Sequence, residues 1–141
     1  MDDDTRIRAA QERVAGVFRR KPSAALSTMR ASGHLDAGLL CTVRQDHHEA
    51  TMDMGTVLGG SAAAPSPGFY IRAGLIGCIA IGIKMTAARE SIPVAAVDVD
   101  IEMNFDDSAM LGMGENSAAP LATQVTVSLN SPASGATVGA M

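Results

Sequence analysis

The sequence predicts an α+β fold organised around one central helix, and three observations carry that prediction. The stretch Phe69–Arg89, FYIRAGLIGCIAIGIKMTAAR, holds eleven successive uncharged residues from Ala73 to Ile83, bracketed by Arg72 and Lys84. On either side of it, residues 36–54 and 97–103 alternate apolar and polar side chains with the period of strands. Helical and strand patterns fall in separate blocks rather than in strict alternation, which points to α+β and away from a parallel βαβ sheet.

The central stretch reads as a buried helix. A membrane span needs about 20 apolar residues, and this uncharged run is shorter and has charged flanks. Ser66 and Pro67 supply a helix start. Gly74, Cys78 and Gly82 recur every four residues and share one face. Two glycines in a helix cost about 1 kcal/mol each in propensity. That cost makes sense where another backbone approaches closely, so Cys78 is expected in a tight seam. A sheet covers only one side of such a helix, and a second copy of the chain is the economical cover for the other.

The remaining elements follow in order. Residues 5–20 place Ile7, Ala10, Val14, Val17 and Phe18 at helical spacing, with Asp2–Asp4 before them and Arg19, Arg20 and Lys21 closing the helix, as the helix dipole favours. Pro22 ends it. Three antiparallel strands are expected over 24–31, 36–45 and 48–54, with turns at Ser32-Gly33 and Asp46-His47. Residues 55–67, GTVLGGSAAAPSP, form a loop of small residues leading into the central helix. Val97, Val99, Ile101 and Met103 alternate with Asp98, Asp100 and Glu102 in the clearest strand of the chain. Residues 106–118 are a loop, residues 124–129 a further strand, and Ser131-Pro132 the start of a final helix, which the chain leaves incomplete. The expected organisation is an N-terminal helical extension over 1–22 and one domain over 23–141.

Composition narrows the function. The 141 residues are 47% hydrophobic but only 3% aromatic, without Trp and with nine Met, so the core must rest on aliphatic and Met side chains. A net charge of -4 gives no footprint for nucleic acid. The acidic N-terminus lacks the apolar region of a signal peptide, and nothing suggests a membrane surface. Cys41 and Cys78 have neither CxxC nor zinc spacing, so a reduced, cytoplasmic setting with no metal or cofactor is expected. Adjacent His47 and His48 face opposite ways in a strand and read, like His34, as turn or surface residues. Cys41 alternates with Leu39 and Val43 and reads as core packing. Arg72 and Lys84 lie off the Cys78 face as solvated or snorkelling cations, and Tyr70 as an interfacial packing residue.

The segment LGGSAAAPSPGFYIRAGLIGCIAIGIKMTAARESIPVAAVDVDIEMNFD, with HHEATMDMGTV before it, resembles the OsmC/Ohr family of osmotically induced and organic hydroperoxide resistance proteins. The resemblance runs over roughly residues 23–132 and is most specific from Pro67 to Cys78. It implies an antiparallel sheet around a long buried central helix in an intertwined homodimer, with active sites at the subunit interface. It also implies that Cys78 is a peroxidatic thiolate attacking an organic hydroperoxide, with an arginine of the first sheet favouring the thiolate; Arg30 and Arg44 are both candidates. Three features depart from the family pattern: Gly68 stands where a glutamate is expected to hold that arginine, no second cysteine follows Cys78, and the final helix is cut short. The expected activity is therefore a weak, one-cysteine hydroperoxide reduction completed by an external thiol. The alternative is a non-catalytic dimer of the same fold, structural or binding a small hydrophobic molecule.

Overall fold

The computed structural model describes residues 2–139. Helix α1 spans Asp3–Arg20, and a 3-10 turn follows at Pro22–Ala25. Strands β1 (Ser32–Leu35), β2 (Cys41–Gln45) and β3 (His48–Met52) form an antiparallel sheet in that order. Helix α2 runs Pro67–Glu90, and β4 (Ala96–Asn104) pairs antiparallel with β5 (Ala122–Asn130) before the short helix α3, Gly135–Gly139. The class is α+β, as the blocks of pattern predict.

Contacts divide the chain into two units, Ala10–Leu75 and Met1–Ala9 with Ile76–Met141. In the first, β2 pairs with β3 through a tight turn in which Asp46 takes a left-handed φ of 52°. Gly33 packs against Val43 and Cys41, and Cys41 is half-buried between the cross-strand partners Leu35 and Met52. Tyr70 of α2 donates its hydroxyl to the Thr51 carbonyl at 2.8 Å, which makes it a hydrogen-bonding anchor rather than a packing residue alone. In the second unit Ala87, Ala88 and Val94 are buried. Lys84 donates to the Val94 carbonyl and lies 2.9 Å from Asp4 Oδ1. That lysine, expected to be solvated, thus holds the chain leaving α2 and the first turn of α1 together.

Several expectations are corrected. The strand placed at 24–31 is a 3-10 turn followed by extended chain; the first strand begins at Ser32, and Ser32-Gly33 lies inside it rather than in a turn. The serines and alanines of 23–28 carry no alternating apolar set to bury, and all of them are exposed. Among the described residues the strands form two antiparallel sheets, of three and of two strands. The last helix starts four residues after Ser131: Ser134 Oγ accepts from Thr137 N, whereas Ser131 Oγ bonds the Pro93 carbonyl and the Ala133 amide. Within the single chain only Ala87 and Ala88 of the 24 residues of α2 are buried, which accords with the expectation that a sheet alone does not cover the helix.

Helix α2 is long and apolar enough by length and composition to cross a membrane. Its charges argue otherwise. Arg72 and Lys84 stand about 18 Å apart along the axis, inside a hydrocarbon layer of about 30 Å, and Lys84 is committed to Asp4 and Val94.

Candidate functional site

Cys78 sits midway along α2 and is exposed. Among the described residues of the single chain no helix forms the tight seam expected against a second copy or an adjacent helix: an added Cβ at Gly74 or Gly82 meets nothing within 4 Å. Cys78 lines a shallow apolar hollow of about 360 Å³ with Ile79, Gly82, Ile83 and Thr86. On the same face stand Ile71, Leu75, Ile81 and Met85, which are 59%, 41%, 62% and 43% exposed. Helical spacing joins these positions to Gly74, Cys78 and Gly82 in one continuous stripe of apolar and small residues.

The two arginines proposed from sequence lie in the first unit. Arg30 is exposed in the extended chain before β1. Arg44 lies on β2, directly opposite Glu49 of β3, and its Nε donates to Glu49 Oε2 at 2.7 Å. Sequence spacing had left this arginine without a carboxylate because Gly68 occupies the expected position; the hairpin supplies one from across the sheet. The space that a side chain at Gly68 would occupy borders the Arg72 guanidinium, 3.3 Å from its Cβ position.

Asp53 is the residue that pattern reading missed. The alternation places it within a strand over 48–54, but β3 ends at Met52 and Asp53 is only 2% exposed. Its carboxylate accepts from Met54 N at 2.8 Å, Ser61 Oγ at 2.6 Å, and Ser61 N and Ala63 N at 3.1 Å each. Its own N–H donates to the Pro65 carbonyl at 3.1 Å. One buried carboxylate therefore folds residues 54–65, the loop that delivers the chain to Ser66, whose Oγ accepts from Phe69 N at 3.3 Å at the start of α2. The signal available in sequence was an acidic residue at the mouth of a Gly/Ser/Ala loop, whose free N–H groups require an acceptor.

The hydrogen bond from the Ser61 hydroxyl, then that from the Ala63 amide, hold the Asp53 carboxyl below the usual carboxylate range against the opposing effect of burial. A depressed folded pKa contributes stability above the unfolded pKa, about 3.9, and that stability is lost as pH falls through the folded value. Asp53→Asn should therefore melt well below wild type at pH 7, and the gap should narrow as pH drops below about 4. A gap constant from pH 7 to pH 3 would show that the charge does not hold the loop.

Comparison with known proteins bears on the fold. No family model matches the sequence, and no curated protein matches it. Among solved structures, an OsmC-like protein from Mycoplasma pneumoniae aligns with a TM-score of 0.65 over 81% of this chain and 77% of its own, at 14% identity. The chain has an OsmC-like fold. A protein of Psychrobacter arcticus 273-4, described in terms of osmotic stress induction and detoxification response, aligns at 0.61 over 82% and 81%, with 13% identity. The organic hydroperoxide resistance protein OsmC of Legionella pneumophila aligns at 0.50 over 74% and 69%, with 22% identity. The small antiparallel sheets and the long central helix of this chain are the architecture the OsmC-like fold implies.

Proposed function

We propose that this chain is an OsmC/Ohr-type thiol peroxidase, acting in the cytoplasm as a homodimer, in which Cys78 reduces organic hydroperoxides and an external thiol restores it. The observation that carries the reading is an exposed cysteine at the middle of the central helix of an OsmC-like fold, set in an apolar hollow. The hydroperoxide resistance named for the Legionella pneumophila protein supports the substrate class. Apolar walls favour the organic part of a bulky hydroperoxide over hydrogen peroxide.

The thiolate attacks the distal peroxide oxygen. An S–O bond forms as the O–O bond breaks, the cysteine becomes a sulfenic acid, and the departing alkoxide takes a proton and leaves as the alcohol. One external thiol condenses with the sulfenic acid, releasing water and leaving a mixed disulfide. A second thiol attacks that disulfide, frees Cys78 and departs as the external disulfide. A cation from Arg44 or Arg30 favours the attacking thiolate in this reading, and the Glu49 carboxylate orients the Arg44 guanidinium. The dimer rests on the apolar stripe of α2, whose Ile71, Leu75 and Ile81 stay exposed in the single chain.

A second reading, a non-catalytic dimer that binds a small hydrophobic molecule, draws on Gly68 and on the commitment of Arg44 to Glu49. Hydroperoxide consumption separates the two. Wild type should consume cumene hydroperoxide only with added small thiol, Cys78→Ser should lose that activity, and Cys41→Ser should keep it. Equal slow consumption by wild type and Cys78→Ser would leave the binding reading standing.

A further inference from the structure

Charge is unevenly distributed along the chain. Residues 91–141 carry six carboxylates, Asp98, Asp100, Glu102, Asp106, Asp107 and Glu115, and no Lys, Arg or His. The connection between β4 and β5 in this acidic part also displays large apolar side chains: Met110, Leu111 and Met113 are 50%, 65% and 59% exposed. Their display is built rather than loose. Asp106 accepts from Ser108 N and Oγ and from Asn116 Nδ2 at 2.8 Å, and Gly112 closes the 3-10 turn Asp107–Leu111 with a φ of 69°. Unbranched, polarisable Met side chains flanked in the loop by Asp106, Asp107 and Glu115 suit the apolar face of a basic amphipathic helix.

The chain itself contains such a helix. Val14, Val17 and Phe18 of α1 are exposed at helical spacing, 49%, 44% and 39%. Arg13, Arg19, Arg20 and Lys21 surround them, with Glu12 the one acidic residue of this segment. Among the described residues, neither the stripe on α1 nor the apolar loop is removed from solvent. We propose that Val14, Val17 and Phe18 of one copy dock on the Met110–Met113 loop of a second copy, with Arg19 and Arg20 facing Asp107 and Glu115. Two-fold symmetry then makes the contact twice per pair. Helix α1 lies outside the segment that resembles OsmC/Ohr proteins, so this contact is separate from the α2 stripe and does not rest on the thiol chemistry.

The test uses the full chain with a benzophenone amino acid at position 17. Irradiation should give a product of twice the chain mass, with the cross-link mapping to residues 105–121. Arg19→Glu with Arg20→Glu should cut its yield at least severalfold, and adding Asp107→Lys and Glu115→Lys should restore it. Raising salt should weaken it in the wild-type background. Cross-links mapping within one chain or outside 105–121 would overturn the proposal, as would a yield indifferent to the charge reversals. Unchanged circular dichroism of the variants, whose altered residues are all on the surface, excludes unfolding as the cause.

Discussion

Gly60→Ala should destabilise the protein by more than about 3 kcal/mol, the range of a side chain forced onto backbone that cannot yield. A Cβ at position 60 would lie 1.9 Å from the Met54 carbonyl oxygen, 2.4 Å from its carbon and 2.9 Å from Asp53 Oδ1. Backbone cannot swing aside as a flexible side chain does, and the Met54 carbonyl is held by the Ala62 amide at 3.1 Å. Relief requires breaking the set of bonds that Asp53 organises, so the loop and the start of α2 lose definition together. Gly55→Ala is the control. Gly55 has an ordinary φ of -64° and open space at its Cβ position, so the change should be nearly silent. Urea unfolding of both variants measures the difference; two equally mild shifts would mean that residues 54–65 are not clamped as described.

The elements that the sequence revealed are those in which one face is apolar and the other is not. β4 alternates from Val97 to Met103 and β5 from Gln124 to Leu129, and α1 carries both its apolar spacing and its terminal charges. The register of β2 and β3 was legible for the same reason, with a turn at Asp46 that needs a left-handed residue. The first strand was not. Ser32–Leu35 is four exposed residues, SGHL, whose place is fixed by pairing with Arg44–Cys41 rather than by any side-chain pattern. The segment chosen instead contains Leu26 and Met29, which are 82% and 75% exposed. The central helix was found from its uncharged run, and the need for cover beyond one sheet from its apolar content on several faces; which residues stay exposed in one chain was not legible, because apolar content is the same whichever chain supplies the cover. At the candidate site, Cys78 stood out by its position among glycines. The Arg44–Glu49 pair follows from that same register, since a turn at Asp46-His47 sets residues 44 and 49 opposite each other, but the family pattern directs the search for a carboxylate to position 68. Asp53 was concealed by a strand that ends one residue before it.

Gly82→Leu should weaken self-association by roughly 30-fold or far more. Overpacking a close helix contact costs about 1–3 kcal/mol, and two-fold symmetry counts it twice. The substitution has force because its sign reverses between the two states of the helix. In the single chain nothing lies within 4 Å of a Cβ at Gly82 or Gly74, so a larger residue meets open space. Replacing a mid-helix glycine by leucine there gains helix propensity, up to about 1 kcal/mol, and a free chain should become more stable. If instead a partner helix lies along Ile71, Leu75, Cys78, Ile81 and Met85, the same leucine fills the space its backbone needs. Sedimentation equilibrium of wild type, Gly74→Leu and Gly82→Leu reads the first effect, and thermal melting of the dissociated chains reads the second. Wild type should sediment as a dimer at micromolar concentration, and both variants should shift toward monomer. Variants that associate as tightly as wild type and melt higher would show that the α2 stripe faces solvent, and with it the dimer carrying the proposed site would fall.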